Sequence, residues 1–190
     1  MRRKRVLIPF AALAIVIGLG FLWWASLLVP VRSGGSSSGA PTLPACNGRY
    51  LAEGFSYRFR DPRRGELVVI HARGHIGGPV APDRNARDLN LTKRVMGIPG
   101  DTVVGRRGRV YVNRKKADDI RTDPFPAVHL GPKQYFVLGD NRGVSQDSRA
   151  FGPVRRNTIF GRVVLIYWPF DRFGVPGYDK NLVPPGDEPC

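Results

Sequence analysis

Residues 6–29 form a run of 24 positions without a single charge, preceded by Arg2, Arg3, Lys4 and Arg5 and ended by Pro30 and Arg32. About 20 apolar residues suffice to cross a bilayer. The run therefore divides the chain, and whatever else folds must do so within the roughly 160 residues that remain, enough for one domain with a core. A cleaved leader has an apolar stretch of about 7–15 residues and ends at a small-x-small site. This run is longer and does not end at such a site, which favours a retained span over residues 6–29. The basic cluster stands on one side only, so the positive-inside rule puts residues 1–5 in the cytoplasm. Phe21, Trp23 and Trp24 fall near the outer end, where aromatic rings favour the interface. The rest of the chain is then extracytoplasmic.

Charge narrows the partners. Of 30 Lys and Arg, four lie in the leader, which leaves 26 against 15 Asp and Glu elsewhere. Such a surface attracts anionic lipid headgroups or nucleic acid. No nucleic-acid-binding motif is visible and the span removes the domain from the cytoplasm, so the expected partner is the bilayer and not nucleic acid. Cys46 and Cys190 define no disulfide framework, and the second is the last residue of a Pro-rich tail.

Past the span the apolar runs are short and rich in β-branched and aromatic residues, at 67–70, 103–104, 110–112, 135–138 and 159–168. Turn signals punctuate them, including Asp61-Pro62, Pro99-Gly100-Asp101 and Gly131-Pro132. These features predict a mostly-β domain of antiparallel strands. Residues 110–116 read as a strand entering a polar turn. Composition makes 32–40, rich in Gly and Ser, a linker, and makes 175–190 a Pro/Gly-rich tail.

One polar stretch breaks the strand pattern: Gly139-Asp140-Asn141-Arg142-Gly143-Val144-Ser145-Gln146-Asp147-Ser148-Arg149-Ala150-Phe151-Gly152, between apolar runs ending at Leu138 and starting at Ile159. A loop held by strands is where sites tend to lie. With Lys93-Arg94-Val95-Met96-Gly97-Ile98-Pro99-Gly100-Asp101 upstream, it closely resembles the boxes of type I signal peptidases, membrane-bound serine proteases with a Ser/Lys dyad. Residues 50–69 are similar to the part of those enzymes that follows the nucleophile. The family's nucleophile box reads Ser-Met-x-Pro-Thr-Leu, and aligning Pro41-Thr42-Leu43 with it makes Ser38 the nucleophile. Gly39 stands where the family usually has Met, and Gly35 where it usually has Pro.

The resemblance implies a set of roles. Ser38 attacks, Lys93 is the general base, and the oxyanion hole is formed by the backbone N–H of Ser38 with the hydroxyl of Ser36. Ser145 orients the lysine, and Asp147 with Arg149 forms an ion pair that supports the loop. A lysine acts as a base only when neutral, and its ordinary pKa of about 10.4 forbids that near pH 7 unless burial lowers it. Leu89, Leu91, Val95, Met96 and Ile98 around Lys93 are candidates to desolvate it, although Lys93-Arg94 taken alone reads as an ordinary exposed basic pair. His71, His75 and His129 lie outside these boxes, and no metal or cofactor is expected.

The expected organisation is a basic N-terminus (1–5), one transmembrane helix (6–29), a linker (30–35), a catalytic domain of antiparallel sheets (36–174) with a short variable insertion at 101–139, and the tail (175–190). The implied substrates are preproteins whose signal peptides carry small residues at −1 and −3 from the cut. Bound extended, they would expose alternate side chains to shallow pockets. The secretion machinery stands as a further partner.

Overall fold

The computed structural model describes residues 15, 28–32, 37–44, 47–71 and 90–177. Among them no helix is long and apolar enough to cross a membrane. All of the expected span except Ile15, Leu28 and Val29 lies outside the described residues, as do Ser36, His75, Cys46, Cys190 and the tail beyond 177.

Two antiparallel sheets build the domain. The larger takes β1 (Leu28–Arg32), β2 (Arg49–Glu53), β11 (Ile159–Trp168), β3 (Leu67–His71), β4 (Asn90–Gly97), β9 (Gln134–Leu138) and β10 (Val154–Arg155), in that spatial order. The smaller takes β7 (Lys115–Lys116), β6 (Arg109–Val112), β5 (Thr102–Arg106) and β8 (Phe125–His129). A short helix, α1 (Ser148–Phe151), closes the polar stretch.

The first strand corrects the sequence boundaries. Leu28 and Val29, assigned to the span, and Pro30 to Arg32, assigned to a linker, all pair with β2. Val31 is 6% exposed and packs with Leu43, Tyr50 and Ala52. An uncharged run ending in β-branched residues has no sequence mark where span gives way to strand. Pro30 is tolerated because β1 lies at a sheet edge.

Each apolar run expected to be a strand is one. The 110–116 segment is a hairpin whose turn residues Asn113 and Arg114 both have positive φ, 48° and 68°, as a tight two-residue connection requires. The inserted region divides: the small sheet ends at His129, and Gln134–Leu138 returns to the large sheet beside β4. Cross-strand register then fixes the site. Lys93 pairs with Val68 and Leu91 with Ile70, so Lys93 belongs to the face that carries Val68, Ile70, Val95, Val137 and Phe151. Met96 packs on the other side, with Val103 and Phe136.

Candidate active site

Strand β4 supplies the central amine. Lys93 is 3% exposed, and its Nζ donates to Ser145 Oγ at 2.9 Å. Burial pushes its pKa down from 10.5 to about 8. Asp147 and Asp140 pull it upward and Arg149 presses it down, but desolvation is the largest influence. Of the neighbours named from sequence, Leu91 and Val95 share the lysine's face and Ile98 packs against the same cluster. Met96 faces away and Leu89 lies outside the described residues.

Ser38 lies in a 3-10 turn, Ser37–Gly39, that packs against β4. It is 8% exposed, and its carbonyl accepts the N–H of Asn141 at 3.2 Å. Residues 37–40 of the segment read as a linker are thus ordered, with Ala40 and, just beyond, Leu43 in the interior. Gly39 is fitted closely, since a Cβ there would stand 3.1 Å from Leu43 Cδ1. From the other side Arg172 donates to the carbonyl of Pro41.

The polar loop is folded around Asp147, which is fully buried. Its carboxylate accepts from the N–H of Gly139 at 3.0 Å, from Arg149 Nε at 2.8 Å and Nη2 at 2.9 Å, and from the Arg149 N–H at 3.2 Å as the cap of α1. Arg149 Nη2 also reaches the carbonyls of Arg142 (2.7 Å) and Ser145 (3.1 Å). The ion pair therefore holds the turn that presents Ser145.

Three features carry no role in the sequence reading. Arg94, 1% exposed, grips Asp140 with two parallel hydrogen bonds, Nε to Oδ1 at 2.7 Å and Nη2 to Oδ2 at 2.5 Å. It also donates to the carbonyl of Gly65 at 2.6 Å and to Thr42 Oγ1 at 3.2 Å, so one guanidinium joins the Ser38 segment to the polar loop. Arg142 forms a second buried pair with Asp118. Gly139 separates the two serines: a Cβ there would strike the Ser145 side chain and lie 2.6 Å from the carbonyl of Ser38. The polar run after Leu138 was the signal available for Gly139, Asp140 and Arg142, whereas only packing reveals Arg94 and Asp118 as the partners of Asp140 and Arg142.

Elsewhere, His71 bonds Asn90 and His129 bonds Thr102. Among the described residues no three His, Cys, Asp or Glu gather as metal ligands.

A buried amine of lowered pKa bonded to a serine hydroxyl, beside an ordered serine turn on a β scaffold, is the equipment of a hydrolase of the serine class. The chain belongs to the signal peptidase family, peptidase S26, whose family model matches residues 4–168. It is 38% identical over 167 residues to the probable signal peptidase I-2 of Synechocystis, covering 85% of this chain and 72% of that protein. Against signal peptidase IB of Staphylococcus aureus it is 32% identical, over 90% of this chain and 94% of the relative. A solved signal peptidase I from Enterococcus faecalis aligns with 54% of this chain and 97% of its own at 24% identity and a TM-score of 0.42. The chain is a serine peptidase of the kind that removes signal peptides.

Proposed function

We propose that this is a membrane-anchored signal peptidase that cuts exported preproteins with a Ser38/Lys93 dyad. The observation that carries the reading is Lys93, an amine 3% exposed, bonded to a serine hydroxyl and brought down to about 8 by burial. A lysine near 10.5 is neutral at pH 7 in about one molecule in three thousand, and one near 8 in about one in ten.

In this reading neutral Lys93 Nζ removes the proton of Ser38 Oγ as that oxygen attacks the scissile carbonyl carbon. The carbonyl oxygen becomes an oxyanion, held by the Ser38 N–H and the Ser36 hydroxyl, donors worth several kcal/mol in comparable sites. The charged lysine returns its proton to the departing amine as the C–N bond breaks. Water then hydrolyses the acyl ester, again with Lys93 as base. Ser145 keeps the amine aimed, and Asp147 with Arg149 keeps Ser145 in place.

The signal peptide lies extended, with small residues required at −1 and −3. The N-terminus is cytoplasmic and the catalytic domain extracytoplasmic. With β1 beginning at Leu28, residues 6–27 remain for the span, still about the length needed. The basic surplus draws the domain to anionic headgroups, and the secretion machinery is a neighbour.

Full-length protein in detergent, incubated with a preprotein, tests the dyad. Ser38→Ala and Lys93→Arg lose cleavage, because arginine cannot act as a neutral base, whereas Ser37→Ala and Lys133→Ala keep most of it. An active Lys93→Arg enzyme removes lysine as the base. For topology, protease added outside spheroplasts digests all but a small N-terminal fragment; protection of the bulk reverses the orientation.

A further inference from the structure

The polar loop that presents Ser145 is held from behind by the inserted sheet. Arg142 Nη2 meets Asp118 Oδ2 at 2.5 Å, with the two side chains 2% and 0% exposed. Arg142 Nε donates to the carbonyl of Gly139 at 2.9 Å, and the Arg142 carbonyl accepts Arg149 Nη2. Four residues on from Asp118, Thr122 Oγ1 accepts Arg149 Nη1 at 3.3 Å. The segment 117–122 is itself fixed to the small sheet: Ala117 N–H donates to Val110, Thr122 N–H to Gly108, and Ile120 is buried. Contacts thus run without a break from the small sheet through Asp118 and Thr122 to Arg142 and Arg149, then to Gly139, Asp147 and Ser145.

A buried ion pair is a weak source of stability, since desolvation offsets most of its attraction. Its geometry is more informative. Both ends of this pair are rigidly seated, and the loop end lies three residues from Ser145. We propose that Asp118 is a positioning residue for signal-peptide cleavage, fixing through Arg142 and Gly139 the loop that aims Ser145 at Lys93, so that the inserted four-stranded sheet is a working part of the site. The proposal rests on the Ser38/Lys93 reading given above.

Loss of the Asp118 charge leaves the Arg142 guanidinium buried without its ion-pair partner. The loop must then open toward water to solvate it. Opening releases the Gly139 carbonyl and the acceptor of Arg149, so Ser145 shifts and water reaches the lysine. The charged groups acting on Lys93 are Asp147, Asp140 and Arg149, while its strand neighbour Arg94 is committed to Asp140. Asp118→Asn changes none of these charges. The unpaired Arg142 charge presses the Lys93 pKa down but is screened once water reaches it, so hydration decides the sign and the pKa moves up toward its ordinary value.

The test compares Asp118→Asn, Asp118→Glu, Thr122→Ala and the exposed neighbour Asp119→Asn in full-length enzyme. Readouts are kcat, KM and the acid limb of the kcat/KM profile, per folded molecule, together with thermal unfolding. For Asp118→Asn we expect kcat at pH 7 to fall about tenfold or more with KM nearly unchanged, and the acid limb to move up by about half a unit or more. Asp118→Glu recovers part of the loss, Thr122→Ala moves the same way by less, and Asp119→Asn matches wild type. A lowered Tm with wild-type kcat and acid limb, or an effect on KM alone, overturns the proposal. Should Asp118→Asn fail to fold, Thr122→Ala decides, because it removes one hydrogen bond and no charge; an unaltered kcat and acid limb there is equally fatal. Lys93→Ala, assayed alongside, separates the two readings: if it retains cleavage the dyad is wrong, and if it is inactive while Asp118→Asn behaves as wild type, only the positioning role is lost.

Discussion

Lys93 and Arg94 are adjacent on β4, point to opposite faces, and end in the same loop. The Lys93 amine meets Ser145 and the Arg94 guanidinium meets Asp140. One strand therefore holds that loop at two points, and Arg94 adds a third tie through Thr42 to the segment bearing Ser38.

Arg94→Lys tests this tie. A lysine keeps the charge but cannot form two parallel bonds to Asp140 while reaching Gly65 and Thr42. We expect a loss of about 2 kcal/mol or more in urea unfolding and a larger fall in kcat than in substrate affinity. Wild-type stability and kcat would show that the fork geometry is dispensable.

The acid limb of cleavage should report Lys93. Its neutral form grows as pH rises through about 8, so kcat/KM climbs between about pH 6 and 9 and then levels. Ser145→Ala removes the hydroxyl that receives the amine's hydrogen bond, and lowers kcat across the whole range. A limb centred near the free-lysine value of 10.5 would mean that the amine is solvated in the working enzyme.

The same burial carries a stability cost. Below about pH 8 Lys93 is charged in both folded and unfolded chains, and the folded state bears the full desolvation penalty; above about 10.5 it is neutral in both. The folded pKa is the lower one, so the penalty fades as pH rises between those values. Lys93→Met should be inactive yet more stable at pH 7 by about 3 kcal/mol, with the gap closing by about pH 10. A gap independent of pH would refute the burial argument.

Much of this was legible in the chain, for identifiable reasons. Apolar runs such as Tyr135–Leu138 announced their strands because β-branched and aromatic residues crowd between turn signals. β4 itself was not announced, since Lys93 and Arg94 interrupt its pattern and look like surface residues until Val68 and Asp140 cover them. The ordered turn at Ser38 was hidden in a Gly/Ser composition that reads as linker; its order comes from distant partners, Leu43 packing beneath Gly39 and Asn141 bonding the Ser38 carbonyl. Asp118 sits in an insertion whose sequence is unremarkable, and its partner lies 24 positions away.

The last prediction concerns Gly139, where backbone and two serines converge. Its N–H is held by Asp147 and its carbonyl by Arg142, so it cannot retreat without breaking both bonds. A methyl group added there would overlap the Ser145 side chain and approach the Ser38 carbonyl to 2.6 Å. Gly143, four residues on, is exposed, and its nearest neighbour to an added Cβ is Asn141 Oδ1 at 3.7 Å, an ordinary contact. We therefore expect Gly139→Ala to reduce kcat by about a hundredfold, the scale of a displacement near 1 Å, while Gly143→Ala stays within about twofold of wild type. Circular dichroism and thermal unfolding establish that each variant is folded before kinetics are compared. A folded Gly139→Ala enzyme with normal kcat would mean that Ser145 can move away from this glycine without cost, and that its contact with Lys93 does not govern the reaction.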